Sequence, residues 1–373
     1  MAVFTSDVVY EQVGGLGLIT LNRAKALNAL SLPMVRELTH VLMQWQTNPD
    51  VHAVLVRGSN KEGPFGAFCA GGDIRYFHVA ALAGDPSLED FFTEEYNLNH
   101  LIHSYGKPYI AFMDGVVMGG GMGISQGGAL RIVTEKTKMA MPETHIGLFP
   151  DVGGGYFLSR CAGYTGEYLA LTGQVLKGAQ AVQVGLADVY LQAERLPSLW
   201  DALRQRSWSK GQDVVNWLRD EAAESTQHAL AQLHARPQAE VDAVFGLPTV
   251  SDMLQALAGR ADDWAVQTLQ ALRHQSPLMT HVTLEQIRRG RHMTLAQDLR
   301  MERDLVRHCF FTAHLSRQGV SSETVEGIRA LAVDKDQNPQ WQPARLEDVT
   351  PDMVRPFFDS PWPEVAHPLR HLA

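Results

Sequence analysis

Hydrophobic and polar positions follow two rhythms along this chain. Leu18-Ile19-Thr20-Leu21 is a short apolar run that predicts a strand. Val51-His52-Ala53-Val54-Leu55-Val56 predicts a second strand, closed by Gly58-Ser59-Asn60. Between them, Leu32 to Trp45 sets Leu38, Leu42 and Trp45 at helical spacing, so an amphipathic helix is expected there. Tyr109-Ile110-Ala111-Phe112-Met113 predicts another strand. Leu130-Arg131-Ile132-Val133 and Lys138-Met139-Ala140-Met141 predict a pair separated by polar Thr134-Glu135-Lys136-Thr137. Strands interleaved with helices give an α/β class.

From about Pro197 the rhythm changes. Asp213 to His234 and Val282 to Phe311 carry helical periodicity with many charges. Ala235-Arg236-Pro237 and Gly246-Leu247-Pro248 read as connectors, and the proline-bearing tail from Asp334 is expected to wrap over the surface. There is no low-complexity tract and no tandem repeat.

Composition narrows the class. The 373 residues carry 41 Asp+Glu against 32 Lys+Arg, a formal net charge of −9. That balance argues against general nucleic-acid binding, which needs clustered positive charge. It leaves room for an anionic small molecule held by helix N-termini or a local basic patch. Cys69, Cys161 and Cys309 are too scattered for a disulfide framework or a zinc site, so reduced thiols are expected. Met1-Ala2-Val3-Phe4-Thr5-Ser6-Asp7 shows no secretory or transit pattern, and no apolar stretch reaches the ~18–20 residues of a membrane span. A soluble cytoplasmic protein is expected.

Candidate chemistry gathers around three glycine clusters: Cys69-Ala70-Gly71-Gly72-Asp73, Met118-Gly119-Gly120-Gly121-Met122-Gly123, and Asp151-Val152-Gly153-Gly154-Gly155. Each is read either as a tight turn or as backbone that approaches something closely. The second follows a strand and opens a helix, which would aim N–H groups at an anion or an oxyanion. It matches neither the dinucleotide nor the phosphate-loop fingerprint. Gly123-Ile124-Ser125-Gln126-Gly127 imitates a nucleophile elbow, but the glycines precede it and should set Ser125 inside the helix. Glu143 and Asp151 stand in the apolar, Pro/Gly-punctuated segment Met141–Asp151. Each is a candidate acid, base or nucleophile, or else an ordinary helix-start residue or N-cap. The pairs His100/His103 and Glu94/Glu95 read as helix faces.

Taken together, the segments resemble the crotonase, or enoyl-CoA hydratase/isomerase, superfamily. The resemblance rests on Asn22–Leu30, Cys69–Ile74, Gly119-Gly120-Gly121 and Met141-Pro142-Glu143. Phe91–Asn99, Phe149–Gly155, Glu326–Ala330 and Asp334-Lys335-Asp336 are similar to its 3-hydroxyisobutyryl-CoA hydrolase branch. The resemblance implies a ββα spiral core over residues 1–193. A helical C-terminal region over 194–373 would serve packing and oligomerisation. It implies that Gly72 and Gly120 N–H groups form an oxyanion hole. Glu143 and Asp151 would be catalytic, and Glu95 would line the acyl pocket. Lys25, Ala26 and Leu27 would line the CoA path, and Asp73 counts with the substrate-binding residues.

Hydratases carry a second glutamate where this chain has Gly123, so paired-glutamate hydration is disfavoured. The resemblance then implies hydrolysis of a short 3-hydroxyacyl-CoA thioester, as in valine breakdown. CoA is part of the substrate, and no cofactor or metal is expected. Partners are an acyl-CoA, neither nucleic acid nor membrane, and further copies of the chain as a trimer or a multiple of trimers. An enoyl-CoA hydratase or isomerase is the alternative within the superfamily, and a non-catalytic binding protein of the same fold is the alternative outside enzymes.

Overall fold

The structure is a computed structural model that describes residues 7–233 and 237–373. The leader reading at Met1–Ser6 and the start of the connector at Ala235-Arg236 lie outside the described residues. The chain forms two compact units, and both are discontinuous in sequence.

The first unit takes the described parts of Met1–Gly72, Asn97–Ala140 and Val175–Ala235. Its main sheet runs in the order Val8–Val13, Leu16–Leu21, Ala53–Asn60, Tyr109–Met113, Leu130–Val133, Val189–Tyr190. The first pair is antiparallel and the rest are parallel. Parallel strands covered on both faces read as unbroken apolar runs, and Tyr109–Met113 is buried throughout. In register, Leu18 faces Leu55, and Ala111 lies between Val56 and Arg131. A second small sheet joins Val116–Met118, Lys138–Ala140 and Leu176–Lys177.

The expected pair Leu130–Val133 and Lys138–Met141 therefore does not pair: the two strands belong to different sheets. Gly58-Ser59-Asn60 also continues its strand rather than closing it. At Gly58 a Cβ would lie 1.9 Å from Ala67 O, so the glycine marks a backbone crossing. The helix expected over Leu32–Trp45 spans Leu32–Thr47. Ser31 Oγ accepts from Met34 N, and a proline sits in the first turn.

Helices Leu196–Gln205 and Gly211–Ala231 set Leu199, Trp200, Leu203, Val215 and Leu218 against Leu18, Leu55, Phe112 and Ile132 of the sheet. The chain beyond residue 193 thus completes the sheet unit's own core. This is why the compact units do not follow the single boundary expected near 193.

The second unit takes Asp73–Tyr96, Met141–Gln174 and the described part of Arg236–Ala373. Leu171, Phe245, Met253, Leu257, Leu272 and Leu284 form its apolar cluster. The long run expected over Val282–Phe311 is two helices, Pro277–Gly290 and Leu295–Phe310. Thr294 and Gln297 explain the break: Thr294 Oγ1 accepts from Gln297 N at 3.2 Å, and Gln297 Oε1 accepts from Thr294 N at 2.9 Å. That reciprocal cap starts a new helix. Gly246-Leu247-Pro248 joins helices Gln238–Phe245 and Val250–Ala258 as expected.

Candidate active site

In the sheet unit, the first two glycine clusters meet. Leu30 N–H donates to Gly71 O at 2.7 Å, and Met118 N–H donates to Cys69 O at 3.0 Å. A Cβ on Gly71 would lie 3.1 Å from Met118 O and 3.5 Å from Gly120 N, so the Gly71-Gly72 turn lies directly beside the start of helix Gly120–Gln126. Gly121 is required by the same crossing: its Cβ would fall 2.3 Å from Cys69 O. Gly120 is the first helical residue, so its N–H has no intrahelical acceptor. The N–H groups proposed for an oxyanion hole thus stand on adjoining turns.

Ser125 lies inside this helix and is buried. Its hydroxyl donates to Gly121 O at 2.8 Å, the back-bond of a helical serine, so the elbow imitation has no exposed nucleophile. Gly123 is a buried helical residue, and no carboxylate stands at that position.

Lys25 and Ala26 lie in the 3-10 turn Ala24–Ala26, and Leu27 follows it in the left-handed region with φ 50° and an exposed side chain. Asn28 locks this turn: its Nδ2 donates to Ser59 O at 2.8 Å and Ala67 O at 2.9 Å. Its Oδ1 accepts from Arg23 N.

In the second unit the carboxyls gather. Glu95 is 2% exposed, Asp151 5% and Glu143 7%. Glu143 opens the 3-10 helix Glu143–Ile146 directly after Pro142, as one sequence reading anticipated. Gly147 closes that helix in the left-handed conformation. Ser276 N–H donates to Thr144 O at 2.9 Å, and Thr324 Oγ1 donates to Gly147 O at 2.6 Å, so both ends of the turn are pinned.

Asp151 does not act as an N-cap: Gly153 occupies that position for helix Gly154–Leu158. Its Oδ2 instead accepts from Tyr96 Oη at 2.9 Å. Asp73 does cap a helix, its Oδ1 accepting from Tyr76 N at the start of Ile74–Ala83.

The three buried carboxyls act on one another. Burial, with repulsion from Asp151 and then Glu143, holds Glu95 well above the usual carboxylate range. Burial and repulsion from Asp151 do the same to Glu143. Asp151 is pushed up to about 7 by burial, against the pull of the Tyr96 hydroxyl. Glu95 Oε1 and Glu143 Oε2 are buried with no hydrogen-bond partner among the described residues. A buried acceptor left bare costs about 1–3 kcal/mol, which marks these oxygens as held for something other than stability.

Tyr96 is the site residue that sequence reasoning passed over. Its signal was its place in Phe91-Phe92-Thr93-Glu94-Glu95-Tyr96, one position after Glu95. Asp298 and Glu302 were also missed. On helix Leu295–Phe310 they fall in the buried stripe of Leu295, Leu299, Leu305 and Val306, a position where acids are out of place.

The fold is of the crotonase α/β type, shared across nearly the whole chain with two solved structures. The chain belongs to the enoyl-CoA hydratase/isomerase family, whose model matches residues 16–358. One of those structures is a carnitinyl-CoA dehydratase from Mycobacterium thermoresistibile, with TM-score 0.79 and 34% identity over 96% of this chain and 98% of that one. The other is an enoyl-CoA hydratase from Rhodobacter sphaeroides 2.4.1, with TM-score 0.79 and 33% identity over 95% and 98%. Curated relatives carry the name 3-hydroxyisobutyryl-CoA hydrolase, mitochondrial. The Xenopus tropicalis protein is 40% identical over 95% of this chain and 89% of its own length. The Gallus gallus and Homo sapiens proteins are each 38% identical over 95% and 89%. No helix among the described residues is long and apolar enough to cross a membrane.

Proposed function

We propose that this protein hydrolyses a short 3-hydroxyacyl-CoA thioester, 3-hydroxyisobutyryl-CoA, to 3-hydroxyisobutyrate and CoA. The observation that carries the reading is the buried carboxyl group set of Glu95, Glu143 and Asp151 in a chain so similar to proteins named for that hydrolysis. The Gly72 and Gly120 N–H groups take the thioester oxygen as it gains charge. One such donor is worth about 2.7–4 kcal/mol of barrier in a typical acyl-transfer site.

Glu143 has two chemically balanced routes. As a base it takes a proton from water, whose oxygen attacks the thioester carbon. The tetrahedral adduct collapses, the C–S bond breaks, and the CoA sulfur leaves with the proton. As a nucleophile Glu143 bonds to the acyl carbon and expels CoA, and water then opens the mixed anhydride. Asp151 holds the 3-hydroxyl or carries the proton, and Glu95 lines the acyl pocket. Lys25, Ala26, Leu27 and Asp73 contact the rest of the substrate. The chemistry calls on no resident cofactor, since CoA arrives with the substrate. A cytoplasmic homo-oligomer, trimer or multiple of trimers, completes the proposal, and three buried free cysteines suit a reducing compartment.

A screen of thiol release over short acyl-CoA esters tests the reading. The 3-hydroxyisobutyryl ester should be fastest, and an unsubstituted acyl chain cleaved equally well contradicts it. Repeated single turnovers in ¹⁸O-water test the anhydride: label in Glu143 supports it, since only water opening an anhydride at the Glu143 carboxyl carbon places oxygen there. One second reading, hydration or dehydration of an enoyl-CoA, is favoured by the two solved relatives, a dehydratase and a hydratase by name. The lack of a carboxylate at Gly123 weighs against it.

A further inference from the structure

The third glycine cluster approaches protein, not ligand. Gly153 N–H donates to Glu302 Oε2 at 2.7 Å, and Gly155 N–H donates to Glu302 Oε1 at 3.0 Å. Tyr156 N–H donates to Asp298 Oδ2 at 2.8 Å. Gln286 Nε2 donates to Glu302 Oε1 at 3.0 Å and to Pro150 O at 2.6 Å. A Cβ on Gly155 would lie 2.3 Å from Asp298 Oδ1, so only glycine lets the backbone reach these acids.

Both acids are fully buried, and no ion pair to either is present among the described residues. Two buried carboxyls one helical turn apart are costly, and a five-residue helix needs no such cap. What needs holding is the segment before it. Val152 sits at φ 56°, a left-handed conformation that is strained for a β-branched residue, and Gly153 follows at φ 89°. Asp151 immediately precedes this reversal.

We infer that Glu302, with Asp298 beside it, is a positioning residue that fixes the Asp151 carboxyl by clamping the left-handed turn behind it. The inference rests on the role given to Asp151 above. Released from the clamp, Val152 relaxes toward the right-handed region and turns Asp151 away from Tyr96. Burial first, and then repulsion from Asp298, hold Glu302 well above the carboxylate range, while burial pushes Asp298 up to about 6.

The test is a double-mutant cycle of Glu302→Gln with Asp151→Asn, read as kcat and KM for thiol release. Gln keeps the shape but turns an NH2 toward a backbone N–H. Glu302→Gln alone should lower kcat roughly 10–100-fold and move KM less than about 3-fold. In the Asp151→Asn background the same change should cost less than about 3-fold, because its target is already gone. Multiplicative losses overturn the clamp and leave Asp151 in place. Full kcat in Asp151→Asn alone overturns the role of Asp151 itself. If Glu302→Gln does not fold, Gln286→Met removes two bonds of the clamp, to Glu302 and to Pro150 O, with little change of volume. A kcat loss of roughly threefold or more that vanishes in Asp151→Asn supports the clamp, and full kcat in Gln286→Met refutes it.

Discussion

Acids that brace the sheet unit and the candidate-site carboxyls of the second unit are held in opposite ways. In the sheet unit, Asp114 accepts from Gly66 N at 2.6 Å and from Thr134 Oγ1 at 2.5 Å, so neither oxygen is bare. Asp188 faces Arg131 in a bidentate pair. In the second unit Glu95 and Glu143 each keep an unpartnered oxygen, and Asp151 repels both. The first arrangement holds strands and turns in place. The second is a poor way to stabilise a fold and a good way to keep carboxyls reactive near neutral pH. At Glu95 and Glu143 the local rule of polar satisfaction is broken where chemistry is proposed.

Changing Glu143 should break the contrast most sharply. Glu143→Gln is expected to lower kcat for thiol release by roughly 10²–10⁴-fold while KM changes little. Full activity in that variant would move the chemistry elsewhere.

The next effect is on stability. A carboxyl raised in the folded state keeps its proton there while the unfolded chain has lost it. Its stabilising contribution is present below the unfolded value and is lost as pH rises through the folded one. Asp151 and Glu323 are pushed up to about 7 and Asp298 to about 6, all chiefly by burial. Denaturant melts should therefore show stability falling from about pH 4 to pH 7. Asp151→Asn should flatten that slope and stabilise the protein at pH 8 by on the order of 2 kcal/mol, while lowering kcat. A steeper slope in the variant would refute the assignment.

In the sheet unit, Gly121→Ala drives a Cβ into Cys69 O and should displace the helix that begins at Gly120. A loss of about 1–3 kcal/mol in stability and roughly tenfold or more in kcat is expected, by urea melts and thiol release. The smallest effect belongs to Ser125→Ala, which removes only a back-bond within its own helix. Activity within about twofold of the parent is expected on that ground. An inactive, folded Ser125→Ala protein would reopen the serine nucleophile.

The same contrast explains what was legible in the sequence. A strand such as Tyr109–Met113 announces itself because a parallel strand buried on both faces must be apolar throughout. Glu143 and Asp151 were visible as acids stranded in apolar, Pro/Gly-rich surroundings. The clamp was not, because Gly153 and Glu302 stand 149 residues apart and no local pattern joins them. The strand beyond Gly58 was misread because a glycine that ends a strand and a glycine that lets another backbone cross it look alike. The unit boundaries were hidden for a related reason: helices after residue 193 complete the core of a sheet made before it.

The central claim is that these carboxyls cleave a thioester rather than hydrate a double bond. The direct measurement is a paired assay of the purified protein with 3-hydroxyisobutyryl-CoA and crotonyl-CoA, following released thiol and loss of the enoyl absorbance. The account predicts rapid thiol release from the first and no hydration of the second. Hydration of crotonyl-CoA without thiol release from the hydroxyacyl ester would contradict it.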